Sequence, residues 1–265
     1  MADSEFEIRR ADGRANTFVV RFGDTEHSYV DLDDPMHLEY EYVQYIASVL
    51  ECAYPAPDRL SVVHVGGAGL TLPRYIAETR PTSPQIVLEP DQQLTAAVRE
   101  QLGVPRGIKI RPLDGRNGIS QLPEAYSRVI IVDAFAGARV PAELSTLEFF
   151  HDVRRALKPG GTLIANVTDA AGFEYSKRFA AGIEEAFGKA RVVAEPAVLK
   201  GRRFGNLLFL ASKGRAATTG LARSLARCTF AARVMQPPQV SAWRGGATSF
   251  TDADAMPSPE PPWLR

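Results

Sequence analysis

From residue 60 onward, short runs of Val, Ile and Leu alternate with stretches of helical periodicity, and this alternation constrains the fold more than any other feature of the chain. The apolar runs cover 60–65, 85–88, 108–112, 128–132, 162–167, 191–193 and 204–211. Helical spacing covers 72–79, 92–101, 142–157 and 173–187. Strands with continuous apolar runs are buried on both faces, which requires helices on both sides of a mostly parallel sheet. The expectation is an α/β, doubly wound, Rossmann-like sheet of seven strands.

The segment before it reads differently. Strands are predicted at 6–10, 17–21 and 27–32, separated by Ala11-Asp12-Gly13-Arg14 and Gly23-Asp24-Thr25-Glu26, which makes a small β-meander. Asp33-Asp34-Pro35 supplies a cap and a first-turn proline for a helix over 36–54, where Leu38, Tyr42, Tyr45, Ile46 and Val49 recur at three and four. Pro55 and Pro57 end it. The chain therefore divides into 1–57, a meander plus helix; 58–213, the large α/β domain; and 214–265, a helix over 220–234 followed by a Pro-rich, poorly ordered tail.

Charge and cysteine usage narrow the function. Thirty-one Lys and Arg balance thirty-one Asp and Glu in 265 residues, which gives no reason to expect a nucleic-acid or membrane partner. Residues 1–60 carry thirteen acids against five arginines, and 197–251 carry nine bases and no acid. Oppositely charged surfaces that offset each other explain this division. Two cysteines suit a reduced cytoplasm, and neither they nor the four histidines show the spacing of a metal site. No apolar run reaches the roughly 18 residues of a membrane span, and the first thirty residues lack the apolar core of a secretory signal.

The candidate chemistry lies at the strand ends. The first strand of the large domain exits into Gly66-Gly67-Ala68-Gly69, where glycines permit a sharp turn and close approach of a ligand to the following helix N-terminus. The next strand ends at Glu89, placed to accept hydrogen bonds from ribose hydroxyls. The third leads to Asp114-Gly115, which either contacts an adenine amino group or caps the next helix. The fourth ends at Asp133, whose carboxylate emerges beside the glycine turn, and it is the candidate for contacting a reacting group. Leu157-Lys158-Pro159-Gly160-Gly161 reads as a helix stop and tight turn.

Together with Leu144 through Phe150 and the Leu-Lys-Pro-Gly-Gly turn, these residues resemble the class I S-adenosylmethionine-dependent methyltransferase fold, and within it the spermidine synthase (polyamine aminopropyltransferase) family. The resemblance covers about residues 30–212, and Glu39-Tyr40-Glu41-Tyr42-Val43-Gln44-Tyr45 is similar to that family's Glu-Phe-x-Tyr-His-Glu-Met helix. It implies S-adenosylmethionine or its decarboxylated form as co-substrate, held by Gly66, Gly67, Gly69, Glu89, Asp114 and Gly115. It also implies Asp133 as the base, a small amine acceptor near Tyr42, Gln44 and Phe135, a homodimer supported by the meander, and no metal. The departures are specific. Gly69 stands where the family's Gly-Gly-Gly-Asp-Gly-Gly loop has its aspartate, Ala136 stands at the second acid of Asp-x-x-Asp, and Val43 and Gln44 replace a His and a Glu. Three functions stay open: aminopropyl transfer to an amine, methyl transfer to a small molecule, and nucleotide binding without catalysis.

Overall fold

The computed structural model describes residues 6–214 and 218–264. Strands β1 (Phe6–Arg10), β2 (Thr17–Phe22) and β3 (Thr25–Asp31) form an antiparallel meander close to the predicted segments. Phe22 pairs with Thr25, so Gly23 and Asp24 make a two-residue hairpin turn, with Gly23 at φ +54°. The inner residues Val20 and Val30 pack with Leu70, Val87, Leu94 and Val98 of the large domain.

The large sheet comprises β4 (Val62–Val65), β5 (Gln85–Leu88), β6 (Ile108–Arg111), β7 (Ser127–Val132), β8 (Leu157–Asp169), β9 (Arg191–Ala194), β10 (Gly205–Ser212) and β11 (Arg233–Met235). Their order is β11-β9-β10-β8-β7-β4-β5-β6, parallel from β8 to β6 and antiparallel where β10 meets β8 and β9. Eight strands replace the expected seven because 233–235, at and just past the end of a predicted helix, pair with β9. Helix α8 keeps only Leu221–Leu225 of that predicted 220–234 span.

Helices α4 (Gly115–Ser120), α5 (Leu147–Ala156), α6 (Glu174–Phe187) and α9 (Pro237–Arg244) cover one face. Their side chains Ile119, Phe149, Phe179 and Val240 share a core with Val63, Val65, Ile130 and Val132. The opposite face is covered by α1 (Glu41–Ala53), α2 (Thr71–Thr79) and α8 against Val62, Ile131, Ile164 and Leu208. Successive residues of one strand thus enter different cores, the period-two signature of a sheet buried on both sides. α1 begins at Glu41 and not at Met36, because the buried Asp31 carboxylate accepts from the backbone N–H groups of Asp33 and Asp34 and holds that segment in a turn. Its core partners lie in the large domain, so the packing joins α1 to the sheet rather than to the meander.

Two further expectations change. Leu157 continues directly from α5 into β8, and Lys158–Gly161 bulge out between the Ser127–Leu157 and Val129–Thr162 pairs, so the predicted tight turn is an interruption inside a strand. The tail expected to be poorly ordered is packed. Pro237 and Pro238 occupy the first turn of α9, Phe250 and Ser258 are fully buried, and Phe250 bridges to Thr146. A short 3-10 turn at Pro262–Leu264 closes the described chain. The remaining helices are α3 (Gln92–Gln101) and α7 (Pro196–Leu199). Among the described residues no helix is long and apolar enough to cross a membrane, and no group of His, Cys, Asp and Glu is arranged to hold a metal ion.

Candidate active site

The strand order reverses at β4, which pairs with β5 on one side and β7 on the other, and a crevice opens at the carboxyl ends of such strands. Gly66 leaves β4 at φ +93°, and a Cβ there would lie 2.3 Å from the Asp133 carbonyl oxygen, so only glycine lets the two strand ends touch. Gly69 is tight for a different reason. Its N–H donates to Ser28 Oγ at 3.0 Å, and a Cβ would stand 2.7 Å from Val30 Cγ2 and 3.2 Å from Val20 Cγ2. Thr71 Oγ1 also donates to the Tyr29 carbonyl, so the meander is fastened to the glycine loop and its hairpin end overhangs the crevice.

That crevice is a cavity bounded by the meander tip, the glycine loop, the N-terminus of α1, the ends of β7, β8 and β10, and the chain tail. Asp133 is one of its lining residues. Asn166 Nδ2 donates to Asp133 Oδ1 at 3.0 Å, and the Tyr42 hydroxyl hydrogen-bonds the same carboxylate. Burial raises the Asp133 pKa to about 6, against the lowering effect of those two donors. Burial, with the Asp133 charge next, pushes the Tyr42 hydroxyl well above its ordinary value, so Tyr42 stays a donor. Asn166 is 2% exposed and its Oδ1 has no protein partner; Thr168 Oγ1 on β8 and His27 Nε2 on the meander also line the cavity and are also unpartnered. Buried polar atoms rarely lack partners, so these are places where a ligand or water would bond. Burial lowers the His27 pKa to about 4, leaving its ring neutral.

The other predicted residues divide. Gly66, Gly67, Phe135 and Tyr42 line the cavity with Asp133. Glu89 ends β5 behind the loop, and its Oε2 accepts from the N–H groups of Gly67 at 3.1 Å and Ala68 at 3.4 Å while Oε1 accepts from Asp91. Burial raises its pKa, and those three donors oppose the shift. Asp114 does not face the cavity: it caps α4, accepting from the Asn117 N–H at 2.8 Å and from Asn117 Nδ2 at 2.7 Å. Burial works to raise its pKa and these bonds outweigh it, for a net lowering. Gly115 is a packing glycine, since a Cβ there would meet Val65 Cγ1 at 2.2 Å. Gln44 is turned away, its Nε2 donating to the Leu38 carbonyl and its Oε1 accepting from the Thr229 N–H. Sequence reasoning missed Asn166 and Thr168, Glu26 and His27, Phe204, and Trp263. A polar Asn and Thr inside an otherwise apolar strand were the available signal for the first pair; for Trp263 at the chain tail there was none.

No protein-family model matches the chain. A curated polyamine aminopropyltransferase from Chromobacterium violaceum is 27% identical over 183 residues, 67% of each chain. The crystal structure of a probable spermidine synthase from Corynebacterium glutamicum is 31% identical, covers 93% of this chain and 92% of its own, and superposes with a TM-score of 0.86. The chain belongs to the spermidine synthase family. Human methyltransferase-like protein 13, solved in complex with SAH, matches at a TM-score of 0.58 with 19% identity over 71% of this chain and 92% of its own, a likeness of fold.

Within the spermidine synthase family, the departures at Gly69 and Ala136 now have a physical setting. At Gly69 the meander side chains Val20, Ser28 and Val30 occupy the space that an acidic side chain would need. Ala136 is exposed at the start of a tight two-residue turn, where it exchanges backbone hydrogen bonds with Arg139, and it stands outside the cavity lining. Among the described lining residues two are carboxylates, Asp133 and Glu26, and none is Lys or Arg. Glu26 already accepts from the Tyr40 hydroxyl at 3.0 Å and lies 3.6 Å from the Arg9 guanidinium.

Proposed function

We propose that this protein transfers the aminopropyl group of decarboxylated S-adenosylmethionine to an amine, with Asp133 as base. The observation that carries this reading is the Asp133–Tyr42–Asn166 cluster, set in a cavity beside the glycine loop and free of cationic side chains among its described residues. A sulfonium co-substrate and an ammonium acceptor are both cationic, and such a wall suits them. It suits S-adenosylmethionine less, because that molecule's own carboxylate would find no Lys or Arg in the lining. This favours aminopropyl over methyl transfer.

The chain's residues divide the work. The loop 66–69 and Glu89 behind it shape the nucleoside end; the Glu89 bonds to the Gly67 and Ala68 amides fix the loop against the end of β5. Asp133 accepts a proton from the acceptor ammonium, the freed nitrogen lone pair attacks the carbon next to sulfur, and the carbon–sulfur electron pair remains on sulfur in a neutral thioether. Raising a carboxyl to about 6 makes it a stronger base than an exposed aspartate while leaving it ionised at neutral pH. Tyr42 and Asn166 hold the carboxylate by donating to it, which orients it for the transfer.

Titration calorimetry with decarboxylated S-adenosylmethionine, S-adenosylmethionine and methylthioadenosine tests the reading. The decarboxylated form is expected to bind at least about ten-fold more tightly than S-adenosylmethionine, a difference of about 1.4 kcal/mol. Equal affinities, or binding of none of the three, would refute it.

A further inference from the structure

The cavity has a second lining carboxylate besides Asp133, Glu26, and the meander is built to place it. Pairing between β2 and β3 runs Val20 with Ser28 and then Arg21 with Glu26, so His27 is an extra residue in β3. Without that bulge, strand alternation would set Glu26 on the face of Ser28 and Val30, which packs against Gly69. The extra residue turns Glu26 to the opposite face, beside Arg9, where the hydroxyl of Tyr40 donates to its Oε2 at 3.0 Å.

Tyr40 and Tyr42 make the two carboxylates a matched pair. Their rings lie 12° from parallel with centroids 6.3 Å apart, and Tyr40 donates to Glu26 while Tyr42 hydrogen-bonds Asp133. Burial, with the Glu26 charge next, pushes the Tyr40 hydroxyl far above its ordinary value, so it stays a donor. Glu26 keeps accepting capacity: its Oε1 lies 3.6 Å from Arg9 Nη2, longer than a hydrogen bond, and Arg9 is outside the lining.

Decarboxylated S-adenosylmethionine carries two positive centres, the sulfonium and an ammonium at the end of its three-carbon arm. An ammonium taken from water into a cavity needs an anionic partner. With Asp133 serving the acceptor nitrogen, Glu26 is the carboxylate left among the described lining residues. Its strand is also fastened to the glycine loop through Ser28 and Tyr29, which ties Glu26 to the wall assigned to the nucleoside end.

We propose that Glu26 binds the terminal ammonium of the co-substrate's aminopropyl arm, so that the meander supplies an acid where Gly69 leaves the loop without one. The inference rests on the aminopropyl-transfer reading and names the residue that selects its co-substrate. In S-adenosylmethionine the carbon bearing that ammonium also bears a carboxylate, which Glu26 would repel.

The test is calorimetric titration of the full chain with decarboxylated S-adenosylhomocysteine, a neutral thioether that keeps the aminopropyl arm, and with methylthioadenosine, which lacks it. Glu26→Gln keeps an acceptor for Tyr40 and is expected to weaken the first about ten-fold while leaving the second, and putrescine, within two-fold. Arg9→Gln removes the competing cation and is expected to tighten the armed thioether about two-fold or more, a gain that a merely structural Glu26 would not give. Unchanged thioether affinity in Glu26→Gln, or a parallel loss of methylthioadenosine, overturns the proposal. A ten-fold loss of putrescine with the thioether unaffected would also overturn it, by assigning Glu26 to the acceptor. Equal binding of S-adenosylmethionine and its decarboxylated form by the parent, with the Glu26→Gln loss retained, would refute the transfer reading and leave the Glu26 contact standing.

Discussion

Burial sets the Asp133 carboxyl near 6, above the roughly 3.9 of an unfolded chain, so the folded state favours its protonated form. An acid shifted this way contributes stability below about pH 4 and loses it as pH rises to about 6. Asp133→Asn removes the charge while keeping an acceptor for Asn166 and Tyr42. The variant is expected to melt about 2–4 °C above the parent at pH 7.5, with the difference closing below about pH 4, as thermal denaturation across pH would show. The same variant is expected to lose about 10²–10⁴-fold in transfer rate while holding nucleoside affinity within a few-fold, and the parent's rate is expected to fall below about pH 6 as the base takes a proton. Retained turnover would remove Asp133 from the chemistry. For Glu89→Ala three backbone donors lose their acceptor, which costs about 1–3 kcal/mol of stability and at least ten-fold in nucleoside affinity, read by urea denaturation and calorimetry. At this scale the sequence located the acids that follow apolar strands, Glu89 after β5 and Asp133 after β7. It was ambiguous at Asp114, because an aspartate two residues past a strand end reads equally well as a ligand contact or a helix cap, and Asn117 decided for the cap.

The meander and the glycine loop act as one unit, because Ser28, Tyr29 and Val30 on β3 contact Gly69 and Thr71 directly. A loop that simply lacked an acid would accept one back. Gly69→Asp instead forces its Cβ against Val30, Ser28 and Val20 and is expected to cost about 1–3 kcal/mol in urea denaturation, with no gain in putrescine affinity. A stable Gly69→Asp protein that binds putrescine more tightly would show that the missing acid alone governs the acceptor. Strand positions were legible where the run is apolar throughout, as in 129–132, or nearly so, as in 62–65 with His64 inside it, and both faces there are in fact buried. The start of α1 was not, since Asp33-Asp34-Pro35 has the composition of a cap while the buried Asp31 takes the two amides that a helix start would present. Likewise 220–234 has helical spacing, but pairing with β9 converts its end to a strand, a long-range contact that no local pattern encodes.

Over the whole molecule the tail is the part that composition misrepresents. Six of the nineteen prolines fall after residue 236, which reads as disorder, yet two of them start α9 and the apolar residues among them are spaced to reach distant elements. Phe250 enters the core between α5 and α6, with the Tyr175 ring at 5.3 Å and the Arg178 guanidinium 3.9 Å above its face. Ser258 is clamped to the turn after Asp133: its N–H donates to the Val140 carbonyl, its Oγ accepts from the Val140 N–H, and its carbonyl accepts from Arg139. These anchors hold Pro261 and Trp263 at the cavity, so stability and the shape of the cavity are linked through the last thirty residues. Phe250→Ala removes a fully buried ring and is expected to cost about 3–5 kcal/mol. Because the anchor that positions Trp263 loosens with it, putrescine affinity is expected to fall under conditions where circular dichroism shows the protein still folded, while methylthioadenosine affinity, which the proposed function assigns to the glycine loop, stays within two-fold. A parallel loss of both ligands would mean that the tail supports the sheet as a whole and carries no separate role at the cavity.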